Sequence, residues 1–351
     1  MLLGTAMLLS AISLTEIYSS TLSLEVNFFS RQLAAVAVGL VLLFIVAATD
    51  YHSFSEHIPW IYLASLALLV YTLFFGKVVS SSRSWVFIGS KIGFQPSELI
   101  KIVVVVALAR YFAEVPGQKY MTLAQTAKAI LVCGIPMSLV LLQPDLGTAM
   151  TYFPALALGV FIRGVRPAVL VSLILCFILV LPISWLFLKD YQKDRITSYL
   201  HPEGDPRGRG YQVLQSKIAI GSGGFWGKGL FKGSQNRLGF LPTRHTDFIF
   251  SVVGEELGFL GVMVTLGALV FILARSVTIA QTARDSLGLF IVMGIVGIYF
   301  FHVVENVGMV IGFMPTTGIP LPFVSYGGSS VLTAFIALGL VMSVRRCRYV
   351  N

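Results

Sequence analysis

Runs of about twenty apolar residues, the length that crosses a bilayer as a helix, recur along the whole chain. They predict spans at 2–18, 32–49, 58–76, 97–113, 126–143, 147–163, 167–187, 248–274, 286–308 and 327–344. An even number of crossings puts both termini on one side. The predicted fold is therefore all-α: a polytopic integral membrane protein of about ten transmembrane helices, forming a single domain over residues 1–351. The pattern lapses once at length, over residues 188–247, which read as a large extracytoplasmic loop between helices 7 and 8. There is no internal repeat and no separate soluble domain. The first run begins at once from Met1 without a basic leader, so a spanning helix is expected rather than a signal peptide. A short cytoplasmic leader ahead of it is expected to be missing.

Composition agrees with the pattern. Hydrophobic residues make up 56% of the chain and charged residues 12%, half of the roughly 25% usual in soluble domains. Mean hydropathy is +0.85. The net charge of +9 carries no basic or aromatic-basic module, which argues against a nucleic-acid partner. In a membrane protein such charge marks cytoplasmic loops or anionic lipid contacts. Cys133, Cys176 and Cys347 have neither metal nor disulfide spacing and read as packing or surface residues.

Lysine and arginine set the orientation. Arg110, Lys119, Lys128, Arg163, Arg166, Arg275, Arg284, Arg345, Arg346 and Arg348 fall on one side. The short connections of the other hold Arg31, Lys77, Arg83 and Lys91. Both termini are thus expected in the cytoplasm.

Ionisable residues within or beside spans are costly and point to function. Glu98 and Lys101 open the fourth span three residues apart, on one helix face. Read singly they are a structural ion pair. Asp145 lies in LLQPDLGTAM, where Pro144 and Gly147 interrupt the helix; singly it is a helix cap. Asp247 lies where the long loop enters the eighth span, beside Arg244 and His245. It too reads singly as a cap, with those neighbours contacting headgroups. Topology puts all these groups at one membrane level, on the outer side, which separate structural roles would not require. His302 and Glu305, three apart in the ninth span, read as a locally paired helix-packing couple.

The long loop carries ten basic and five acidic residues, a field that attracts anions. Its glycines, in IAIGSGGFWGKGLFKGSQ, could bring backbone amides against phosphate or form a flexible loop. A Walker loop is excluded, because Ser222 replaces the first glycine and Gly229 follows Lys228. GYQVLQSKIAIG reads as an amphipathic piece on the interface. Trp85 and Trp226 are headgroup-level anchors. GIPLPFVSYGGSS is too rich in Pro and Gly for a lipid-exposed span and should line a cavity.

Across nearly the whole chain these stretches resemble the SEDS family of shape, elongation, division and sporulation proteins. The likeness rests on EIYSST, SRSWVFIGSKIGFQPSELIK, LQPDLGT, DYQKDRI, QSKIAIGSGGFWGKG, HTDFIFSVVGEELGF and PLPFVSYGGSS, in order. DYQKDRI followed by QSKIAIGSGG resembles the rod-shape branch, RodA, rather than the division branch. In LPTRHTDF the family's usual Glu is replaced by Thr243.

The resemblance implies a peptidoglycan glycosyltransferase of the bacterial inner membrane. It would polymerise lipid II on the periplasmic face for cell elongation, with inversion at the sugar carbon. It matches Asp247 to the essential aspartate, Glu98 and Lys101 to the span-four pair, Asp145 to the QPDLGT acid and Trp85 to the loop tryptophan. Trp85, Lys101, Arg195, Lys228, Lys232, Arg244 and His245 are candidates for holding substrate or pyrophosphate. No cofactor is certain; a divalent cation, Mg2+ or Mn2+, would sit on Asp145 or Glu98. Implied partners are lipid II, a class B penicillin-binding protein, the elongation assembly around MreB, and membrane lipids. The rival functions are a lipid II flippase, for which His302 and Glu305 are the only deep polar pair, and a non-catalytic scaffold for the penicillin-binding protein.

Overall fold

The structure is a computed structural model that describes residues 1–22, 27–79, 82–88, 92–116, 120–172, 175, 193, 197–199 and 208–348. It opens with three helices, α1 (Leu2–Thr21), α2 (Phe28–Ala48) and α3 (Tyr51–Phe75). Three short strands follow, β1 (Lys77–Val79), β2 (Ser82–Ile88) and β3 (Ile92–Phe94). Then come α4 (Pro96–Glu114), α5 (Leu123–Leu142), α6 (Leu146–Met150) and α7 (Phe153–Arg163). Beyond residue 208 lie α8 (Arg209–Gly223), α9 (Ser234–Arg237), α10 (Ile249–Glu256), α11 (Gly258–Gln281), α12 (Ser286–Val310) and α13 (Gly328–Cys347).

Among the described residues, eight segments are long and apolar enough to cross a membrane, α6 and α7 counting as one. The fourth predicted span, α4, is 19 residues long. It carries Glu98, Lys101, Arg110 and Glu114, a charge load that fits a buried helix rather than a lipid-facing one. It packs against α3, α5, α7, α12 and α13. The predicted span 167–187 is helical over 167–172, and most of it lies outside the described residues. Sequence starts these helices as expected. Pro96 opens α4, where its missing amide is harmless. Asn27, Asp50, Thr122 and Asp285 accept first-turn amides at α2, α3, α5 and α12.

The core follows burial. In α12 and α13, 67% of the apolar window is buried, against 22% in α3, so α12 and α13 run inside the bundle while α3 faces lipid. Small residues bring helices close. A Cβ on Gly39 of α2 would meet the Phe335 ring at 2.6 Å, and one on Gly339 of α13 would meet the Leu43 carbonyl at 2.9 Å.

Three features depart from the predicted helices. β1, β2 and β3 form an antiparallel sheet of order β1-β2-β3, with Lys77 opposite Trp85 and Val86 opposite Phe94. Its strands are too short for a periodic signal. The span 147–163 bends between α6 and α7, where Pro154 lacks an amide for a continuous ladder. The span 248–274 breaks into α10 and α11 at Gly258, whose φ of +66° a side chain resists.

Candidate functional site

Pro320–Phe323 and the residues around them form a non-helical stretch between α12 and α13, and the predicted site residues gather about it. On one side stand Glu98 and Lys101 of α4. The Lys101 amine donates to both Glu98 oxygens at 3.0 Å. Both side chains are buried. The same amine lies 3.1 Å from His302 Nε2 of α12, while His302 Nδ1 lies 2.8 Å from the Pro320 carbonyl. A lysine amine has no acceptor role here. Nε2 therefore accepts and Nδ1 carries the proton, which fixes a neutral tautomer.

His302 does not pair with Glu305, as the sequence led us to expect. It joins the α4 ion pair instead, and Glu305 accepts a hydrogen bond from the Thr317 hydroxyl. The two side chains share a helix face, but stronger partners from α4 and the 315–321 stretch reach each first. Glu98, Lys101, Tyr299, His302 and Pro320–Phe323 line a small cavity. The irregular GIPLPF backbone thus borders a cavity, as its composition requires.

Asp145 is the cap of α6, accepting from the Thr148 amide at 3.1 Å. Its other oxygen accepts from Gln95 Nε2 at 2.7 Å, which ties it to the residue just before α4. Gly147, two residues on, lies so close to the Thr317 carbonyl that a Cβ would meet it at 2.8 Å.

Asp247 sits half-buried in the turn that starts α10. Its carboxylate faces Gly318, where an added Cβ would stand 3.5 Å from Oδ2. Its carbonyl accepts from Asn306 Nδ2 of α12 at 3.0 Å, and the same amide donates to the Ile319 carbonyl at 2.8 Å. Further stitches hold this turn to the start of α13. Ser325 Oγ donates to the Thr246 carbonyl at 2.8 Å, and the Tyr326 amide to the His245 carbonyl at 2.9 Å. The His245 ring packs on Phe28 and Tyr326, with centroids 4.5 and 5.5 Å away. Burial, and then the Arg244 guanidinium, hold its imidazole below the ordinary range. Glu98, Lys101, Asp145 and Asp247 therefore converge at one end of the bundle around one stretch of backbone. Asp247 does not line the cavity.

Other candidates have different surroundings. Lys228 donates to Glu255 at 2.7 Å and to Ser234 at 2.8 Å. Arg244 is buried and donates to the carbonyls of Ser20, at 2.7 Å, and Asn236. Both side chains anchor the loop in this structure rather than standing open to a substrate. Lys232 is exposed, Trp85 is partly exposed on β2, and Arg195 and Cys176 lie outside the described residues. The phosphate cradle expected of the glycine loop is not formed. The amides of Lys228 and Gly229 donate to the carbonyls of Glu255 and Glu256 at 3.0 Å. A Cβ on Gly227 would strike the Glu256 carbonyl at 2.2 Å. The glycines serve contact between two main chains. α8 is helical as expected, and it packs through Ser216 on Ser251 and the Val310 carbonyl.

Three buried acids, Glu16, Glu255 and Glu256, escaped sequence reading. Glu255 accepts from Lys228 and from the amides of Gln235 and Asn236. Glu256 accepts from Ser19, Asn236 and the Phe231 amide. Together they hold α9 and its flanking loop onto α1. The consecutive acids of VGEELGF, inside an apolar run, were the available signal.

The expected metal ligands do not make a cation site as arranged. Glu98 is paired with Lys101, and Asp145 with Gln95 and the Thr148 amide. Among the described residues no three His, Cys, Asp or Glu side chains converge as metal ligands.

Fold and site define a multi-pass membrane protein with a polar site at one end of its helical bundle. The chain belongs to the FtsW, RodA and SpoVE family, described as cell cycle proteins, whose profile matches residues 1–349. It is 38% identical to the peptidoglycan glycosyltransferase MrdB of Escherichia coli K12, over 92% of this chain and 87% of that one. It is 34% identical to the peptidoglycan glycosyltransferase RodA of Treponema pallidum, over 98% and 96%. Among solved structures it resembles a chain of a peptidoglycan synthase complex that coordinates polymerization and crosslinking. That match has a TM-score of 0.85 and 35% identity, and it covers 100% of this chain and 98% of that one. The rod shape determining protein RodA of Thermus thermophilus matches with a TM-score of 0.74 and 30% identity, over 100% and 97%.

Proposed function

We propose that this protein is a peptidoglycan glycosyltransferase that polymerises lipid II at the periplasmic face of the bacterial inner membrane, with Asp247 as general base. The supporting observation is the placement of Asp247: a half-buried carboxylate at the end of the bundle where Glu98, Lys101 and Asp145 also gather, held by Asn306 and facing Gly318. The 4-hydroxyl of the acceptor GlcNAc attacks C1 of the donor MurNAc. The O4–C1 bond forms as the C1–phosphate bond breaks, the electron pair leaves with undecaprenyl pyrophosphate, and the hydroxyl proton passes to Asp247. Displacement from one side turns an α-linked donor into a β-1,4 product. A carboxylate is too weak a base to take the proton beforehand, so transfer accompanies attack.

Lys232, exposed on the loop, is the candidate for neutralising the leaving pyrophosphate. Lys101, already bonded to Glu98 and His302, holds the site's shape. A class B penicillin-binding protein is the crosslinking partner, within the elongation assembly around MreB, and both termini lie in the cytoplasm. The test is Asp247→Asn, assayed as full chain with purified lipid II and that partner. Polymer formation is expected to fall on the order of 100- to 10,000-fold, with the protein still monodisperse. Full activity of the variant would remove Asp247 from the mechanism.

A further inference from the structure

We infer that Asn306 is a positioning residue for the polymerisation reaction, acting through Asp247; this rests on the role proposed above for that carboxylate. Asn306 is fully buried in α12. Its Nδ2 has two protons, and both have acceptors: the Asp247 carbonyl at 3.0 Å and the Ile319 carbonyl at 2.8 Å. These acceptors belong to segments 59 and 13 residues away in sequence. One amide therefore fixes the main chain of the base against the stretch that carries Gly318, the residue its carboxylate faces.

Asp247 needs such a fixture. It lies in a turn, where main-chain position is set less firmly than within a helix. Nearby bonds fix its neighbours: Thr246 through Ser325, and His245 through Tyr326. α12 has 67% of its apolar window buried, and from it His302, Glu305 and Asn306 bond Pro320, Thr317 and Ile319 in turn. Of these three side chains, Asn306 also bonds the Asp247 carbonyl. A hydrophobic residue there would fill the space but release two carbonyls, and the base would shift relative to the acceptor hydroxyl. Displacements of about 1 Å cost on the order of 100-fold in such reactions.

The experiment compares Asn306→Ala with wild type as full chain plus the class B penicillin-binding protein, using purified lipid II. Readouts are kcat, KM and melting temperature. Ser343→Ala serves as a stability control, since it removes a buried hydroxyl bond to the Thr49 carbonyl at the opposite end of the bundle. Asn306→Ala is expected to lower kcat on the order of 100-fold while KM stays within about twofold, an effect on the step rather than on binding. Ser343→Ala is expected to lower the melting temperature without that loss. If Asn306→Ala does not give monodisperse protein, Asn306→Asp, which keeps the shape and offers at most one donor, is read by the same criteria.

A kcat within threefold of wild type overturns the inference, as does a loss no larger than that of Ser343→Ala at equal destabilisation. Asp247→Asn run alongside separates the two claims. Full activity there removes the base and the positioning role together. An inactive Asp247→Asn beside an active Asn306 variant removes the positioning role alone.

Discussion

The Lys101 amine bonds both oxygens of Glu98 where only 1% of the lysine side chain and 6% of the glutamate side chain are exposed. Breaking one half of such a pair strands the other charge, at about 3–5 kcal/mol. Lys101→Met is therefore expected to destabilise the fold by about that much. The double variant Glu98→Leu/Lys101→Met should recover most of the loss, as melts in detergent would show. At His245 the expectation concerns pH. Burial and Arg244 depress its folded pKa below the unfolded one. The unfolded chain then binds the proton more readily. Stability is full above about 6.5, the free histidine value, and falls as pH drops through that value toward the depressed one. His245→Gln should flatten the pH dependence of melting between neutral and mildly acid conditions; an unchanged slope would assign it elsewhere. The Glu98–Lys101 pair was legible in sequence because its members sit one helical turn apart. Its third member was not, because His302 arrives from 201 positions away. Asn306 left no more trace than a polar residue within an apolar run.

At the scale of elements, periodicity and caps were informative where helices run whole, and silent where tertiary contact interrupts them. Nothing apolar marks the break between α10 and α11. It is made by Gly258, which takes a positive φ and touches the Gly227 amide so closely that a Cβ would stand at 2.2 Å. Gly258→Ala is therefore expected to destabilise by several times the ~1 kcal/mol typical of a point substitution. Gly267, inside α11 with open space around it, is the contrast: Gly267→Ala should be neutral or stabilise by about 0.5–1 kcal/mol. Equal melting temperatures for the two variants would show that the seam yields. The glycine loop invited a phosphate reading because amide-rich loops bind anions. Its amides instead bond the α10 carbonyls, a partnership between distant segments that no local pattern encodes.

Across the whole molecule, the bundle has a jointed end and a smooth one. The site residues and the helix breaks at 150–153 and 257–258 belong to the jointed end, while the smooth end carries the Arg110–Glu114 and His52–Asp285 pairs. In the proposed orientation, which follows the basic-residue bias, the smooth end faces the cytoplasm. Cysteine substituted for exposed Lys232 should then react with an impermeant maleimide in spheroplasts. Cysteine at exposed Gln281 should react only after lysis. Labelling of both from the same side would reverse or void the topology. Hydropathy alone was enough for the membrane class and for most of the described spans, because lipid imposes its demand on every residue of a crossing helix. The gathering of Glu98, Asp145 and Asp247 needed topology as well.

The run Gly223–Gly229 and the run Gly254–Gly258 lie main chain against main chain, and this limits how the protein can change. Side chains can be exchanged one at a time, but a zipper of peptide groups can only be kept or lost in register. One residue inserted into either run would throw every later pairing out of step. The loop therefore has little latitude to lengthen or shorten beyond the end of α8.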